Sequence, residues 1–488
     1  MIQPNCETIE ALCSQYDIIP LCKEIYADMT TPIALLCRIA QRSDSYFLLE
    51  SVEGGEKWGR YSFLGYDPIL RATCRNGVVT VEEKGCSRQV ETTRPMDILR
   101  ELLSHYRAPV LPDMPPFTGG FVGYFSYAMI GYAEPTLRIS RGDAADFDLM
   151  LFDKVIAYDH LRQKIVLVAN MKTDKMMENY GKTIAELEAL AAFIRSERPV
   201  VPPRQQSRVP AFICNVSKED YCIMVEEAKK YIQNGDIFQA VLSRRFESSF
   251  QGSLLNAYRV LRTTNPSPYM VYLHLDRETE IMSTSPETLV RLQNGRLTTF
   301  PVAGSRPRGK TEEQDKAMER ELLADEKELS EHNMLVDLGR NDLGRISRYG
   351  SVEVTEYMMI HRYSKIMHIC SQVEGDILPH HDGCSAIEAV LPAGTLSGAP
   401  KIRACEIIEE LEQEPRGVYG GALGYLDFAG NMDTCIAIRM AVKQGGKVSV
   451  QSGGGIVADS IPEKEYEESA NKAMAVINAI ERAGEVED

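Results

Sequence analysis

Two Glu-x-x-Glu units lie far apart in the chain, Glu328/Glu331 and Glu465/Glu468, and each falls in a strongly helical segment. Residues three apart share one face of a helix, so each unit presents two carboxylates in the same direction. If the fold brings the helices together, four carboxylates converge and need a cation to neutralise them. The pattern predicts a fold that joins two distant helices around Mg²⁺, against the commoner alternative of two solvated acidic faces.

The composition is that of a large globular protein. Its 488 residues are enough for about three domains of ~150 residues each. Hydrophobic residues make up 44% and charged residues 25%, and no run approaches the ~18 apolar residues that a membrane span needs. The first residues have neither the basic nor the apolar region of a secretory signal. We expect a cytoplasmic protein with no membrane partner.

Charge and cysteine usage argue against two further classes of protein. The net charge is −16, from 54 basic and 70 acidic residues, whereas nucleic-acid binding needs a basic surface. The twelve cysteines are scattered without a Cys-x-x-Cys pair, which indicates free thiols rather than a zinc site or a disulfide framework. We expect no nucleic-acid partner, while an anionic small substrate stays compatible with local charge or a bound metal.

A proline-rich segment at 197–210 interrupts both helical and strand periodicity and is the clearest boundary candidate. It predicts two regions, 1–200 and 211–488. The first is strand-rich: strands are predicted at 46–49, 78–81 and 164–169, and a helix at 182–194.

The second region opens with a clearly signalled helix. Ser217 is expected to cap it, and Gly235 to end it. Residues 237–246 then predict a strand, in which alternation puts Gln239 and Val241 on one face.

The elements that follow carry most of the candidate chemistry. Residues 311–338 predict a long acidic helical region that contains the first Glu pair. Further strands are predicted at 421–428, 434–442 and 447–452, before a glycine loop at 453–455 and a last helix from Pro462 with Ser460 as its cap.

Two segments of small residues could hold an anion. The N–H groups of Gly453, Gly454 and Gly455 can approach a ligand closely, although a flexible turn explains three glycines equally well. The segment 393–401 leads into a helix near Pro400, whose N-terminal N–H groups and dipole favour negative charge. It lacks the Walker spacing, which argues against a nucleotide.

Two single residues stand in apolar surroundings. His368 lies between apolar neighbours, where a histidine is more often a hydrogen-bonded core residue than a catalyst. Arg439 falls inside the apolar run 434–441, and a buried guanidinium needs a partner. A substrate carboxylate and a structural salt bridge are equally compatible with that need.

In their order along the chain, these segments resemble motifs of the chorismate-utilising enzymes, and within that family those of the anthranilate synthase large subunits. The similarity spans nearly the whole chain and includes LLES at 48–51, IFQAVLSRRF at 237–246, NPSPYM at 265–270, STSPE at 283–287, ELSEHNMLVDLGRNDLGRI at 328–346, AGTLSGAPKIRA at 393–404, DTCIAIR at 433–439 and QSGGGIVADS at 451–460. The resemblance implies an α/β protein of the α+β type: a four-layer αββα sandwich of two packed, mostly antiparallel sheets with helices outside.

The resemblance also implies individual roles. Mg²⁺ would be bound directly by Glu331 and Glu468 and through water by Glu328 and Glu465. Chorismate would be held by Tyr419, Arg439, Gly394, Gly453, Gly454, Gly455 and Lys472. Catalysis would involve Glu287 as the acid that protonates the departing C4 hydroxyl, His368 near C2, Thr395 on the ring side, and Gln239.

Two positions separate reactions within the family. Relatives that use water have a lysine base where this chain has Gln239, and a neutral amide cannot take that proton. The para-directed relative, aminodeoxychorismate synthase, usually has a lysine where this chain has Ala303. The resemblance therefore implies ammonia attack at C2, then loss of pyruvate to give anthranilate. Ser305 and Gly454 depart from the commoner Thr and Ala without removing a hydroxyl or adding bulk.

The family resemblance implies two further ligands. The chain lacks the Gly-x-Cys-x-Gly context of a fused glutaminase, so a separate glutamine amidotransferase subunit would supply ammonia. Feedback inhibition by L-tryptophan at a separate site would involve Glu50, Ser51, Asn265, Pro268, Tyr269, Met270 and Cys435.

Overall fold

The computed structural model describes residues 2–51, 59–196, 210–362 and 366–486. Their strands form two sheets in which all ladders are antiparallel. The first sheet has 13 strands, in the spatial order β1 (Ile2–Gln3), β2 (Ile18–Tyr26), β11 (Lys164–Lys172), β10 (Lys154–Asp159), β4 (Tyr61–Tyr66), β3 (Tyr46–Glu50), β14 (Tyr269–His274), β15 (Glu280–Ser285), β24 (Met440–Gln444), β25 (Lys447–Ile456), β13 (Gln239–Ser249) and β12 (Ile213–Cys214), with β21 (Gly398–Ala399) paired to β13.

The second sheet has 12 strands among the described residues. Their order is β18 (Val302–Pro307), β20 (Ile366–Asp376), β17 (Arg296–Thr299), β16 (Thr288–Gln293), β23 (Met432–Ile436), β22 (Ala422–Asp427), β8 (Gly120–Phe125), β9 (Phe147–Phe152), β5 (Leu70–Arg75), β6 (Val78–Glu83) and β7 (Cys86–Glu91), with β19 (Glu353–Arg362) paired to β20.

Helices cover the outer faces of both sheets. In the described ranges they are α1 (Cys6–Leu12), α2 (Pro32–Ala40), α3 (Pro95–Leu103), α4 (Ile130–Ala133), α5 (Met176–Ile194), α6 (Lys218–Gln233), α7 (Leu255–Thr264), α8 (Glu312–Leu323), α9 (Glu326–Gly344), α10 (Gly383–Val390), α11 (Lys401–Glu412) and α12 (Pro462–Glu481). None of them is long and apolar enough to cross a membrane.

The three largest hydrophobic cores of the described residues separate four layers. The inner core interleaves side chains of the two sheets, such as Phe47 with Phe152 and Leu273 with Leu423. The outer cores pack α2, α5, α7 and α12 on the first sheet, and α3, α9 and α10 on the second. This arrangement confirms the expected αββα sandwich, since each sheet buries one face against the other sheet and one against helices.

Both sheets contain strands from each side of the segment 197–210. In the first sheet β3 pairs with β14, and in the second β8 pairs with β22. Residues 197–209, which hold most of the proposed linker, lie outside the described residues. The division into regions 1–200 and 211–488 stays a prediction.

Most local elements follow the sequence signals. The three strands expected in the first region fall within β3, β6 and β11, and the helix expected at 182–194 begins earlier, at Met176. Ser217 caps α6 by accepting a hydrogen bond from the Asp220 N–H at 3.1 Å, and Gly235 follows with φ +82°. Gln239 and Val241 share one face of β13, as alternation predicts.

The acidic region 311–338 is two helices rather than one. Asp325 interrupts it and caps α9, because its carboxylate accepts hydrogen bonds from the N–H groups of Lys327 and Glu328 at 3.1 and 3.3 Å. An aspartate is favoured at such a cap over a helix interior.

The run 434–442 is not one strand. It comprises the end of β23 in the second sheet and the start of β24 in the first, and the chain crosses between the sheets at 437–439. Arg439 takes φ +46° at this crossing. The sequence does not reveal this break, because the end of β23 and the start of β24 are both buried and therefore both apolar.

Two details near the C-terminal end also differ from expectation. The three glycines continue β25 instead of forming a loop, and Gly453 pairs with Ser243 of β13. A Cβ on Gly453 would lie 2.3 Å from the Leu242 carbonyl oxygen, so this close pairing requires glycine. Ser460 does not cap α12; its hydroxyl instead accepts from the Val457 N–H and donates to Glu465.

Candidate active site

A cavity of about 580 Å³ lies where the two sheets separate, between β13 and β25 of one and β18 and β20 of the other. Helices α9 and α12 contribute its acidic side. It brings together almost all the residues predicted for catalysis, chorismate and metal: Gln239, Glu287, Glu328, Glu331, His368, Thr395, Tyr419, Arg439, Gly453, Gly454, Gly455, Glu465, Glu468 and Lys472. The two distant Glu-x-x-Glu units therefore face one space.

Gly394 is the exception among these predicted residues. It is absent from the cavity lining and packs behind Thr395 against α9, where a Cβ would lie 2.7 Å from a Leu338 methyl carbon. A glycine here lets the Thr395 segment approach the helix closely.

The carboxylates of α9 and α12 interact across the cavity. Burial, with the nearby charges of Glu328 and Glu468, raises the pKa of Glu331. Burial also raises the pKa of Glu465, although a 2.7 Å hydrogen bond from Ser460 opposes the shift. Glu468 forms an ion pair with Lys472 at 2.7 Å. Like charges held close together in this way favour a cation.

The donor set fits Mg²⁺ without being a closed cage. Within the ranges that the structure describes, no three His, Cys, Asp or Glu side chains form a ready-made metal site. Mg²⁺ prefers oxygen ligands and keeps several waters, so it is commonly bound by one or two carboxylates together with a substrate. Glu331 and Glu468 as direct ligands, with Glu328 and Glu465 acting through water, stay a prediction.

Glu287 is an acid at neutral pH. It follows the end of β15, and burial raises the pKa of its carboxyl to about 8. The Thr395 hydroxyl donates to it at 3.0 Å, and this hydrogen bond, together with Arg439 and Lys472, offsets only part of the shift. A carboxyl group protonated at pH 7 can give its proton to a leaving group.

Arg439 lines the cavity and forms no ion pair within the described part of the chain. Burial lowers the pKa of its guanidinium, and Glu287 opposes that shift. Among the described residues the Arg439 side chain has no hydrogen bond or ion pair. Of the two partners that the sequence left open, the structural salt bridge is therefore not observed, and a buried cation of this kind fits an anionic ligand.

His368 is neutral and oriented. Its Nδ1 lies 3.0 Å from the Gly304 carbonyl oxygen, which can only accept, so Nδ1 carries the proton. Burial lowers the pKa of the ring. Nε2 is then an acceptor, the form that a base needs.

Gln239 presents an unused acceptor. The residue is 3% exposed, and its Oε1 has no hydrogen-bond partner among the described residues. Its Nε2 lies so close to Gly455 that a Cβ there would approach to 2.4 Å. The glycines of β25 thus leave room for the amide beside the cavity.

Sequence reasoning missed part of the lining. Lys327 and Gln451 both contribute to the cavity. Lys327 directly precedes Glu328 on α9 and could have been suspected from that position, whereas Gln451 has no local signal because its contact with Ser243 of β13 is long-range.

A second cavity, of about 360 Å³, lies between the sheets and contains most of the predicted inhibitor residues: Glu50, Ser51, Pro268, Tyr269 and Met270. Asn265 and Cys435 do not line it. Asn265 donates to the Thr284 hydroxyl at 3.2 Å, and Cys435 is fully buried opposite Leu423, which does line the cavity.

Two carboxylates line this second cavity, and both accept hydrogen bonds from protein side chains. Glu50 already accepts from Arg262 at 3.0 Å, Tyr258 at 2.8 Å and Ser62 at 3.1 Å. Asp433, which sequence reasoning missed, lines the cavity and accepts from Tyr269 at 2.8 Å. The cavity combines aromatic walls with carboxylates, a lining that suits an aromatic amino acid.

Known proteins resemble this chain over its whole length. The family described as chorismate binding enzyme matches residues 47–478. Anthranilate synthase component 1 of Acetivibrio thermocellus is 46% identical over 100% of both chains, and that of Aquifex aeolicus is 43% identical over 99% of this chain and 98% of its own. The crystal structure of anthranilate synthase component I from Streptococcus pneumoniae TIGR4 superimposes with a TM-score of 0.78 and 35% identity, covering 93% of this chain and 99% of that one. The chain therefore belongs to the chorismate-binding enzyme family, among its anthranilate synthase component 1 members.

Proposed function

We propose that the protein converts chorismate and ammonia to anthranilate and pyruvate in a Mg²⁺-dependent reaction that passes through aminodeoxyisochorismate. The observation that carries this proposal is that one cavity is lined both by Glu287, whose pKa burial raises to about 8, and by Arg439, a cation that forms no ion pair with the described residues. Chorismate needs both, because it loses a hydroxyl group and carries two carboxylates.

Different residues of the chain bind the two carboxylates of chorismate. Arg439, Tyr419 and the backbone of Gly453, which all line the cavity, hold the enolpyruvyl carboxylate. The ring carboxylate faces the carboxylates of α9 and α12, where Glu331 and Glu468 would hold Mg²⁺. The bound Mg²⁺ supplies a positive charge that draws electron density toward the ring carboxylate.

Two proton transfers follow from the positions of the acid and the base. Ammonia forms a bond to C2, the ring double bonds shift, and the C4 hydroxyl leaves as water with the proton of Glu287. His368 then takes the C2 proton, the bond between C3 and the enolpyruvyl oxygen breaks, and pyruvate leaves as the ring becomes aromatic. The neutral Nε2 of His368 is in the form that this second step requires.

The side-chain amide of Gln239 favours ammonia over water as the nucleophile. Its amide cannot deprotonate water, but its unpaired Oε1 can accept a hydrogen bond from ammonia. With Ala303 rather than lysine in the lining, no amine side chain is available at that position to redirect addition. Ammonia therefore adds at C2, and the product is the ortho isomer.

The test is an assay of the purified chain with chorismate and an ammonium salt. We expect a product with the fluorescence and retention of anthranilate, formed only when Mg²⁺ is added. A para-aminobenzoate precursor, isochorismate, or equal turnover after Mg²⁺ removal would contradict the proposal.

We further propose that a separate glutamine amidotransferase subunit supplies the ammonia, in keeping with relatives named component 1. The isolated chain should use ammonium salts and fail with glutamine, and adding the partner subunit should restore the use of glutamine. Measured side by side at equal chain concentration, glutamine turnover by the pure chain would refute a separate source.

Feedback inhibition by L-tryptophan is proposed for the 360 Å³ cavity. The strand β23 connects the two cavities: Asp433 lines the second, and three residues beyond the strand Arg439 lines the catalytic one. The Ile436 N–H also donates to the Glu287 carbonyl at 3.0 Å. If a bound amino acid shifts β23, it would displace Asp433 in the second cavity and Arg439 in the catalytic one. The two separate sites would be coupled by this route.

Ser51→Phe should strongly weaken this inhibition, because the larger side chain fills the cavity that Ser51 lines. We expect the tryptophan concentration for half-inhibition to rise at least about 10-fold, within the usual range of coupling between sites, with uninhibited turnover retained. Ser87→Phe, on the exposed strand β7, is the matched control. Unchanged inhibition of Ser51→Phe would exclude this cavity as the tryptophan site.

A further inference from the structure

Lys472 contacts two groups of residues in the catalytic cavity, those proposed to bind the metal and those proposed to bind the substrate carboxylate. Its Nζ pairs with Glu468, four residues earlier on α12, at 2.7 Å and donates to the Gly453 carbonyl at 3.2 Å. Glu468 belongs to the acidic side of the cavity, and Gly453 to the strand beside the substrate-carboxylate residues. One ammonium group therefore contacts a residue of each group.

The charge of Lys472 also acts on a carboxyl group of each group of residues. It opposes part of the rise in pKa that burial causes in Glu331 on α9 and in Glu287. Lys327 lines the same cavity and acts on Glu331 and Glu465, but it has no ion pair among the described residues. The two lysines thus differ in whether they hold a carboxylate that the metal needs.

We propose that Lys472 is an exchangeable counter-ion that couples metal binding to substrate binding in this cavity. This inference rests on the proposed function, since it takes Mg²⁺ and chorismate as the two ligands. Without ligands, Lys472 neutralises Glu468. When Mg²⁺ binds the Glu468 carboxylate, the Lys472 ammonium group loses this partner. It stays within reach of Gly453 and binds the enolpyruvyl carboxylate of the substrate instead.

The balance of charges in the cavity explains why metal binding and substrate binding strengthen each other. Side chains of the pair are 45% and 55% exposed, so the ion pair is weak enough to break. Mg²⁺ alone must displace Lys472 from Glu468 and leave the charge of the ammonium group uncompensated in the cavity. A bound substrate carboxylate compensates that charge, so each ligand strengthens the binding of the other, and the factor is reciprocal.

The coupling is measured by titrating Mg²⁺ calorimetrically into the full chain, with and without saturating chorismate, in ammonium-free buffer where amination cannot occur. We expect chorismate to raise the Mg²⁺ affinity of the native protein by about 10-fold. Lys472→Met should bind Mg²⁺ more tightly than the native protein without chorismate. Chorismate should raise the Mg²⁺ affinity of this variant by a smaller factor than that of the native protein, because only the direct attraction between Mg²⁺ and the ring carboxylate is left. Lys472→Arg should keep most of the coupling.

Lys327→Met is the matched control, because it removes the same charge from the same cavity without breaking an ion pair to Glu468. We expect it to tighten Mg²⁺ binding slightly and to retain the coupling. Coupling in Lys472→Met as strong as in the native protein, or an equal loss of coupling in Lys327→Met, would overturn the proposed role of Lys472. Absence of Mg²⁺ binding to the native protein under both conditions would instead refute the Mg²⁺ site of the proposed function.

Discussion

Glu287→Gln should lower kcat for chorismate with ammonium by roughly 10²–10⁴-fold, the usual contribution of general acid catalysis. The amide keeps the size of the carboxyl group and can still accept the Thr395 hydroxyl, but it has no acidic proton to give to the C4 hydroxyl. Chorismate affinity should stay within a few-fold of the native value. Steady-state kinetics and a chorismate titration separate the two effects.

The pH dependence gives the same acid a second signature. Because burial raises the pKa of Glu287 to about 8, the acid form is present below that pH and is lost above it. At a constant concentration of free ammonia, kcat/KM should fall as the pH rises through about 8. Thr395→Val removes a hydrogen bond that stabilises the carboxylate, so the pKa should rise and the alkaline limb should move to higher pH.

If the remaining activity of Glu287→Gln falls at the same alkaline pH as that of the native protein, the fall in kcat/KM comes from the ionisation of another group. Turnover by Glu287→Gln at more than a tenth of the native rate would exclude Glu287 as the acid.

Glu331→Gln and Glu468→Gln should each abolish Mg²⁺-dependent turnover, to below about a hundredth of the native rate, while the fold stays intact. Each change removes a negative charge and an oxygen ligand from the cation site. Burial and the charges of Glu328 and Glu468 raise the pKa of Glu331 and so disfavour its ionised form, which means that a neutral amide there should not lower the thermal midpoint of unfolding. Mg²⁺ titrations, turnover at increasing Mg²⁺ and thermal unfolding check the three parts.

The controls lie on the same two helices. Glu326→Gln on α9 and Glu467→Gln on α12 remove equal charges from exposed positions and should leave Mg²⁺ dependence unchanged. Glu328→Gln and Glu465→Gln, as ligands through water, should weaken Mg²⁺ binding less than the two direct ligands. Full activity of either Glu331→Gln or Glu468→Gln would exclude that residue as a ligand.

Local chemistry made much of this site predictable. The stripe of Glu465, Glu468 and Lys472 on α12 follows from helical spacing, and the Ser217 cap follows from side-chain chemistry within four residues. These features depend on neighbours in sequence, so they can be identified without the fold.

Features decided by distant partners were not predictable. The crossing at Arg439 depends on β23 and β24 pairing in different sheets, which an apolar run does not reveal. The glycines extend β25 because Ser243 and Leu242 of β13 pair with them. The raised pKa of Glu287 comes from the residues that enclose it, and STSPE alone carries no sign of that burial.

The orientation of chorismate in the 580 Å³ cavity is the central claim, and a crystal structure tests it most directly. Crystals of Glu287→Gln grown with Mg²⁺ and chorismate, without ammonium, should show the enolpyruvyl carboxylate on Arg439 and Tyr419. The ring carboxylate should face a metal held by Glu331 and Glu468. A reversed ligand with its ring carboxylate on Arg439, or chorismate in the 360 Å³ cavity alone, would contradict it.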